Sequence, residues 1–296
     1  MGKLVIIDGH AILHRAFHAL PPLTNRHGEP INAVYGLTSM LLRVIQDFKP
    51  TYLAVCFDEK EKTFRHEALE SYQAQRPKMA DELSSQIEKA KDVVKAFNIP
   101  IFSKSGYEAD DVIGTLAGKT KEEVVIITGD RDILQLVNKK VKVFLPIKGL
   151  SEGKLMGEEE VRVKMGVAPK LIPDYKALVG DPSDNYPGVP GIGPKTAINL
   201  LNEFESLGGI YKNLKKVPEK TREKLVKGEQ SAKLSHQLAT LVTDLPLDFK
   251  LEEADKWDID SPKVIDTFAQ LGFKTLTERV KKVGRELDQE KQGSLF

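Results

Sequence analysis

Three short apolar runs, each ending at an aspartate, set the strongest limit on what this chain can become. Lys3-Leu-Val-Ile-Ile leads to Asp8, Tyr52-Leu-Ala-Val-Cys-Phe to Asp58, and Val124-Val-Ile-Ile-Thr-Gly to Asp130. Runs of this length, rich in β-branched and aromatic residues, suit strands buried on both faces. Between them, residues 33–48, 81–97 and 107–119 repeat apolar side chains at three and four positions, the mark of amphipathic helices. Strand alternating with helix predicts an α/β fold, a mostly parallel central sheet flanked by helices. Such sheets bind ligands beyond the carboxyl ends of their strands, where all three aspartates would stand.

From Glu158 onward the pattern shortens. Residues 158–166, 169–179 and 195–204 read as brief helices with polar or Gly/Pro connections, so the second half is predicted to be all-helical. The expected division is an α/β core over residues 1–165, a helical region over 166–280 and a mobile polar tail over 281–296. At 296 residues, 41% hydrophobic and 29% charged, the chain has the composition of an ordinary globular protein. No apolar run approaches the roughly 20 residues that span a bilayer, and the N-terminus lacks a signal-peptide cleavage pattern. A cytoplasmic monomer without membrane contact is expected. The single cysteine, Cys56, excludes an internal disulfide and, inside an apolar run, reads as a buried structural thiol rather than a nucleophile.

Further acids cluster in three motifs. Gly106-Tyr-Glu-Ala-Asp-Asp carries Glu108, Asp110 and Asp111 at the start of a helix, with Glu108 and Asp111 on one face. Thr128-Gly-Asp-Arg-Asp sets Asp132 two residues beyond Asp130, and Gly180-Asp-Pro-Ser-Asp-Asn offers Asp181 and Asp184 around a proline turn. Helix capping explains many single aspartates. It does not explain three strands that all end in one. If the nine carboxylates converge, pairs about 4 Å apart repel by about 4 kcal/mol at an effective dielectric of 20. Divalent cations relieve that repulsion, and an all-oxygen donor set favours Mg²⁺ or Mn²⁺ over zinc. His10, His14 and His18, four residues apart, could line a zinc-binding helix face, but with Arg15 and Phe17 beside them they better suit packing or contact with nucleic acid.

Gly188-Val-Pro-Gly-Ile-Gly-Pro-Lys-Thr-Ala forms a Gly/Pro hairpin opening into a helix. Gly191 and Gly193 allow close approach of backbone to a phosphate, the helix start offers N–H groups at Thr196, and Lys195 adds charge. Such an element grips backbone without reading bases. The net charge is +1, and setting aside the nine acids of the proposed site leaves +10 on the remainder. A basic surface around an acidic pocket is therefore within reach of this composition.

Taken together, Asp8-Gly-His, Phe57-Asp58 followed by Thr63-Phe-Arg-His-Glu, the three acidic motifs and the hairpin resemble the bacterial 5′-nucleases. The likeness is to the 5′→3′ exonuclease domain of DNA polymerase I, with flap endonucleases as wider relatives. The motifs stand in family order from Asp8 to Lys195. The resemblance implies a PIN-like nuclease core, a helical arch over residues 60–83, and a helix-three-turn-helix that binds duplex with K⁺. It also implies a substrate: DNA with a 5′ flap, a nick or a single-strand/duplex junction. Hydrolysis would be in-line with two Mg²⁺ ions, for which Mn²⁺ could substitute, leaving a 5′-phosphate and a 3′-hydroxyl. One ion would lie among Asp8, Asp58, Glu108, Asp110 and Asp111, a second near Asp130, Asp132 and Asp184, with Asp181 peripheral. Relatives usually carry an arch lysine where this chain has Gln73, so Arg65, Arg76 and Lys78 are the candidates to supply a cation, and Arg15 a further DNA contact. A junction-binding protein weakened by Gln73 and a ribonuclease on a related pocket are the competing readings. The terminal Gln292-Gly-Ser-Leu295-Phe296 resembles the short peptide by which bacterial replication and repair proteins bind the sliding clamp.

Overall fold

The computed structural model describes residues 2–148 and 152–293. Its centre is a six-stranded sheet in the order β3-β2-β1-β4-β5-β6. These strands are β1 (Lys3–Asp8), β2 (Tyr52–Cys56), β3 (Ile101–Phe102), β4 (Glu123–Ile127), β5 (Val141–Lys148) and β6 (Glu152–Met156). All pairings are parallel except that of β5 with β6. The three strands read from the sequence are three adjacent interior strands, β2, β1 and β4. The short edge strand β3 and the β5/β6 hairpin are additions that carry no aspartate signal.

Helices follow the strands as α1 (Gly9–Ala19), α2 (Asn32–Phe48), α3 (Phe64–Ala68), α4 (Asp81–Ser84), α5 (Ile87–Ala96) and α6 (Ala109–Lys119). The second half adds α7 (Glu158–Met165), α8 (Ile172–Val179), α9 (Pro194–Phe204), α10 (Leu207–Lys212), α11 (Glu219–Lys227), α12 (Glu229–Ala239), α13 (Pro262–Leu271) and α14 (Lys274–Gly293). The stretch over residues 81–97, expected as one helix, divides into α4 and α5. At the break the buried Gln86 turns inward, and its Oε1 accepts from the Ala33 N–H at 2.8 Å, closing the N-terminus of α2.

Side-chain alternation along the central strands makes two cores. Leu4, Ile6, Ala54, Cys56, Val124 and Ile126 face α6 and the helices α8 to α12. Val5, Ile7, Leu53, Val55, Val125 and Ile127 face α1, α2 and α5, and also α13 and α14. Cys56 is fully buried, and burial pushes its thiol well up, as a structural thiol requires. The segment from residue 281, expected as a mobile tail, instead extends α14 to Gly293. Leu276, Val280 and Val283 are buried, and Leu287 packs against the same core, a spacing of four, three and four that the surrounding charges conceal in the sequence. Gln292 falls within this helix, whereas Leu295 and Phe296 lie outside the described residues. Among the described residues no helix is long and apolar enough to cross a membrane.

Candidate active site

Register brings the acids to one edge. Asp8 is the last residue of β1 and pairs with Cys56 of β2, so Asp58 follows two residues on, while Ile127 of β4 pairs with Ile7. Asp8 is nearly buried; its Oδ1 accepts from the Ala11 N–H at 2.9 Å, capping α1, and its Oδ2 accepts from the Thr128 hydroxyl at 2.7 Å. Burial, together with the charges of Asp58 and Asp130, raises its carboxyl to about 7. Asp58 accepts from the Ala109 N–H at 2.8 Å, and His10 Nδ1 lies 3.1 Å from its other oxygen. Although burial pushes Asp58 up, the His10 contact and the Ala109 hydrogen bond hold it below the usual carboxylate range.

Glu108 and Asp110 stand at the start of α6. Burial raises Glu108 to about 7 despite Arg65 nearby, and Asp111, Asp184 and Asp58 add to the rise. Asp110 is pushed well up by burial and by four acids, Asp130, Asp8, Glu108 and Asp58. Asp130 accepts from the Asp132 N–H at 2.8 Å in the turn after β4. Five of the expected residues, Asp8, Asp58, Glu108, Asp110 and Asp130, thus form one electrostatically linked group.

A second group comprises Asp132, Asp181 and Asp184, each offering an oxygen within 4.8 Å of the others. Asp181, expected at the periphery, belongs with this group, while Asp130 acts on Asp8 and Asp110. Burial lifts Asp132 to about 6, against the pull of Lys176. Burial also acts on Asp181, but Lys176 and the Ser183 hydrogen bonds bring it below the usual range. The Lys176 ammonium, from the last turn of α8, bridges Asp132 and Asp181. No spacing rule pointed to Lys176, which lies five residues before Asp181. Tyr72 and Thr128 were also missed, the latter despite its place at the head of the Thr-Gly-Asp motif.

Arg65 and Asp111, both expected in the reacting centre, form a buried strut instead. Asp111 is 0% and Arg65 1% exposed. Each Asp111 oxygen accepts twice: Oδ1 from Arg65 Nη2 and the Val242 N–H, Oδ2 from Arg65 Nη1 and the Glu108 N–H. That uses the roughly four acceptor sites a carboxylate has, leaving none for an ion. Arg65 also donates to the carbonyls of Leu238 and Thr240, joining α12 to the start of α6.

The segment 60–83, expected as an arch, is the short helices α3 and α4 with turns between, and it lies against the acids. Arg76 Nη2 is 2.5 Å from Asp184, Tyr72 donates towards Asp184 and Glu108 at 3.3 and 3.4 Å, and the Gln73 N–H donates to the Asp184 carbonyl at 3.0 Å. Gln73 sits in the left-handed region with φ 56°, its side-chain amide between Arg76 and Glu108. Lys78 is exposed beyond it. His14 and His18 lie with ring centroids 4.5 Å apart and tilted by 60°, and burial, His18 and Arg76 lower His14. Neither belongs to the metal-sized group of acids, and Arg15 lies on the same helix.

The Gly/Pro hairpin crosses the loop that carries Asp181 and Asp184. Gly188 has φ 63°, and a Cβ there would meet the Gly180 nitrogen at 2.2 Å, so two glycines permit this crossing. Val189 and Ile192 are buried while Gly191, Gly193 and Lys195 are exposed. Gly193 is the N-cap of α9 and Pro194 its first residue, which aims the first-turn N–H groups, including that of Thr196, outward. Lys224 of α11 donates to the Gly191 carbonyl at 2.9 Å and fixes the hairpin's tip.

Known proteins share this fold and sequence pattern. A family model described as 5′-3′ exonuclease, N-terminal resolvase-like domain, matches residues 3–166, and one described as 5′-3′ exonuclease, C-terminal SAM fold, matches residues 167–262. The chain is 46% identical over 283 residues to DNA polymerase I of Caldicellulosiruptor bescii, covering 94% of this chain and 33% of that protein. It spans about a third of the polymerase relatives it matches. A 5′-3′ exonuclease of Aquifex aeolicus is 40% identical over 292 residues, covering 98% of this chain and 99% of that protein. Among solved structures, the T5 5′-exonuclease with bound zinc superposes with a TM-score of 0.69 at 21% identity, covering 95% of this chain and 98% of that one, which shows a common fold. With two successive family models and a relative of matching length, the chain belongs to the 5′-3′ exonuclease family.

Proposed function

We propose that this chain is a divalent-metal-dependent 5′-nuclease that hydrolyses phosphodiester bonds of DNA at 5′ flaps, nicks or ends, in replication and repair. One observation carries the reading. Acids from five separate motifs meet at the carboxyl edge of a parallel sheet, with Asp8, Glu108, Asp110 and Asp132 all pushed up by burial and neighbouring charge. A site assembled at that electrostatic cost suits cations. The donors are oxygens only, which fits Mg²⁺, with Mn²⁺ as a substitute. Solved T5 relatives, one described with zinc as the divalent metal and one with DNA and metal ions, support a divalent-metal site.

Asp8, Asp58, Glu108, Asp110 and Asp130 would hold one ion, and Asp132, Asp181 and Asp184 a second. When bound, such a pair supplies Lewis acidity, lowering the pKa of the attacking water and offsetting charge on the leaving oxygen. Thr128 and His10 orient Asp8 and Asp58. Arg76, half exposed beside Asp184, takes the place of the missing arch lysine and meets the scissile phosphate. Gly191, Gly193, Lys195 and Thr196 grip the duplex backbone, with K⁺ at the hairpin. The products are a 5′-phosphate and a 3′-hydroxyl. A sliding clamp as partner, through Gln292, Leu295 and Phe296, rests on the residue pattern alone.

Gln73 carries no charge, which favours as a second reading a junction binder with little catalysis. A labelled 5′-flap duplex with Mg²⁺ separates the two. Cleavage near the junction is expected, falling at least about 100-fold in Asp130→Ala. Binding without cleavage at high protein concentration overturns the nuclease assignment.

A further inference from the structure

The second acidic group already contains a cation. Asp132 follows β4, Asp181 and Asp184 follow α8, and their oxygens come within 4.8 Å of one another, a spacing that fits a single ion. The Lys176 ammonium lies between Asp132 Oδ1 and Asp181 Oδ2, with its side chain only 12% exposed. Lys176 therefore gives two of the three acids a charge partner that is part of the fold. Its stem is held on α8, which packs against α12, so the ammonium is delivered to this position by the helix.

A divalent ion using Asp132 and Asp181 must take oxygens that Lys176 now holds. It also brings two positive charges beside an ammonium whose side chain is largely buried and already paired with both acids. Both effects oppose binding.

We propose that Lys176 is a built-in counter-ion that competes with a divalent cation for Asp132 and Asp181, weakening ion binding at this group in the DNA-free chain. It is a positioning residue: it holds two acids in place without touching the bond that breaks. The proposal rests on the assignment of Asp132, Asp181 and Asp184 to a second ion.

The test is Mn²⁺ binding to the full chain without DNA, followed by calorimetry or by the spin-resonance signal of free Mn²⁺. Lys176→Met removes the charge and keeps the stem. It should bind a second Mn²⁺ at least tenfold more tightly than the natural chain, with the first site unchanged. Lys176→Arg keeps the charge and should behave as the natural chain does. Adding Asp132→Asn to Lys176→Met should abolish the gain. Should Lys176→Met fail to fold, Lys176→Gln serves in the same assay. Equal second-site affinity with and without the charge, or a gain that survives Asp132→Asn, overturns the proposal. Flap cleavage by the natural chain decides the nuclease reading separately, since it does not depend on how Lys176 affects the DNA-free affinity.

Discussion

Asp8 serves two ends at once. One oxygen caps α1 and the other holds Thr128, yet its carboxyl is raised to about 7 from an ordinary 3.8. Glu108 rises to about 7 from 4.5 and Asp132 to about 6 from 3.8. Between the ordinary and raised values the native chain keeps protons that the unfolded chain has released. Bound protons are then more numerous in the native state, so stability falls as pH rises from about 4 to about 7. Asp58 and Asp181, held below their usual range, contribute the opposite slope, but only below their ordinary 3.8. In chelator, the melting temperature should therefore drop by several degrees between pH 5 and pH 7. Asp8→Asn should flatten that drop, and added Mg²⁺ should reverse it at pH 7. A melting temperature that rises over this interval in chelator would contradict the arrangement. The sequence announced these acids, because a strand that ends in aspartate is visible in the residues. It could not announce that Asp111 is consumed by Arg65, since that pairing joins residues 46 positions apart through a fold not yet formed.

The elements were legible where local pattern and tertiary burial agree. The central strands β1, β2 and β4 are apolar on both faces and α2 and α6 are periodic, so their sequences carry the signal unaided. The edge strand β3 is two residues long, and β6 reads Glu-Gly-Lys-Leu-Met, so each exists by pairing rather than by propensity. The hairpin before α9 was legible for a stricter reason: Gly180 and Gly188 cross too closely for any side chain. Its proposed role gives a prediction at this scale. Lys195 is exposed on the first turn of α9, where a phosphate would meet both its charge and the helix start. Lys195→Ala should weaken binding to flap duplexes of any sequence alike. Measured from 50 to 200 mM salt, the slope of log affinity against log salt should become shallower by about 0.9, one phosphate contact. A slope equal to that of the natural chain would remove Lys195 from the interface.

At the scale of the molecule, the chain closes around the sheet by returning to the face where it began. Helices α8 to α12 cover the face shared with α6, and α13 and α14 then pass to the opposite face against α2 and α5. Arg279 of α14 donates to Ser39 and Gln46 of α2, at 2.9 and 3.2 Å, reinforcing that return. The far face is thus stabilised by α14. Leu276, Val280 and Val283 are each at most 1% exposed. Burial of such side chains contributes about 1.5–3 kcal/mol apiece, so α14 accounts for roughly 5–9 kcal/mol. That is comparable with the whole stability of a typical domain, about 5–15 kcal/mol. A chain ending at Phe273 should therefore melt at least about 10 °C lower or be unfolded at 25 °C. A tail with no packing role would leave the melting temperature within the error of the measurement, so thermal denaturation followed by circular dichroism distinguishes the two. Because the contacts of α14 among the described residues are with α2, α13 and the core of the far face, any fraction that stays folded should bind flap duplex as the natural chain does. A stable truncation that has lost its DNA affinity would instead place α14 in the binding surface.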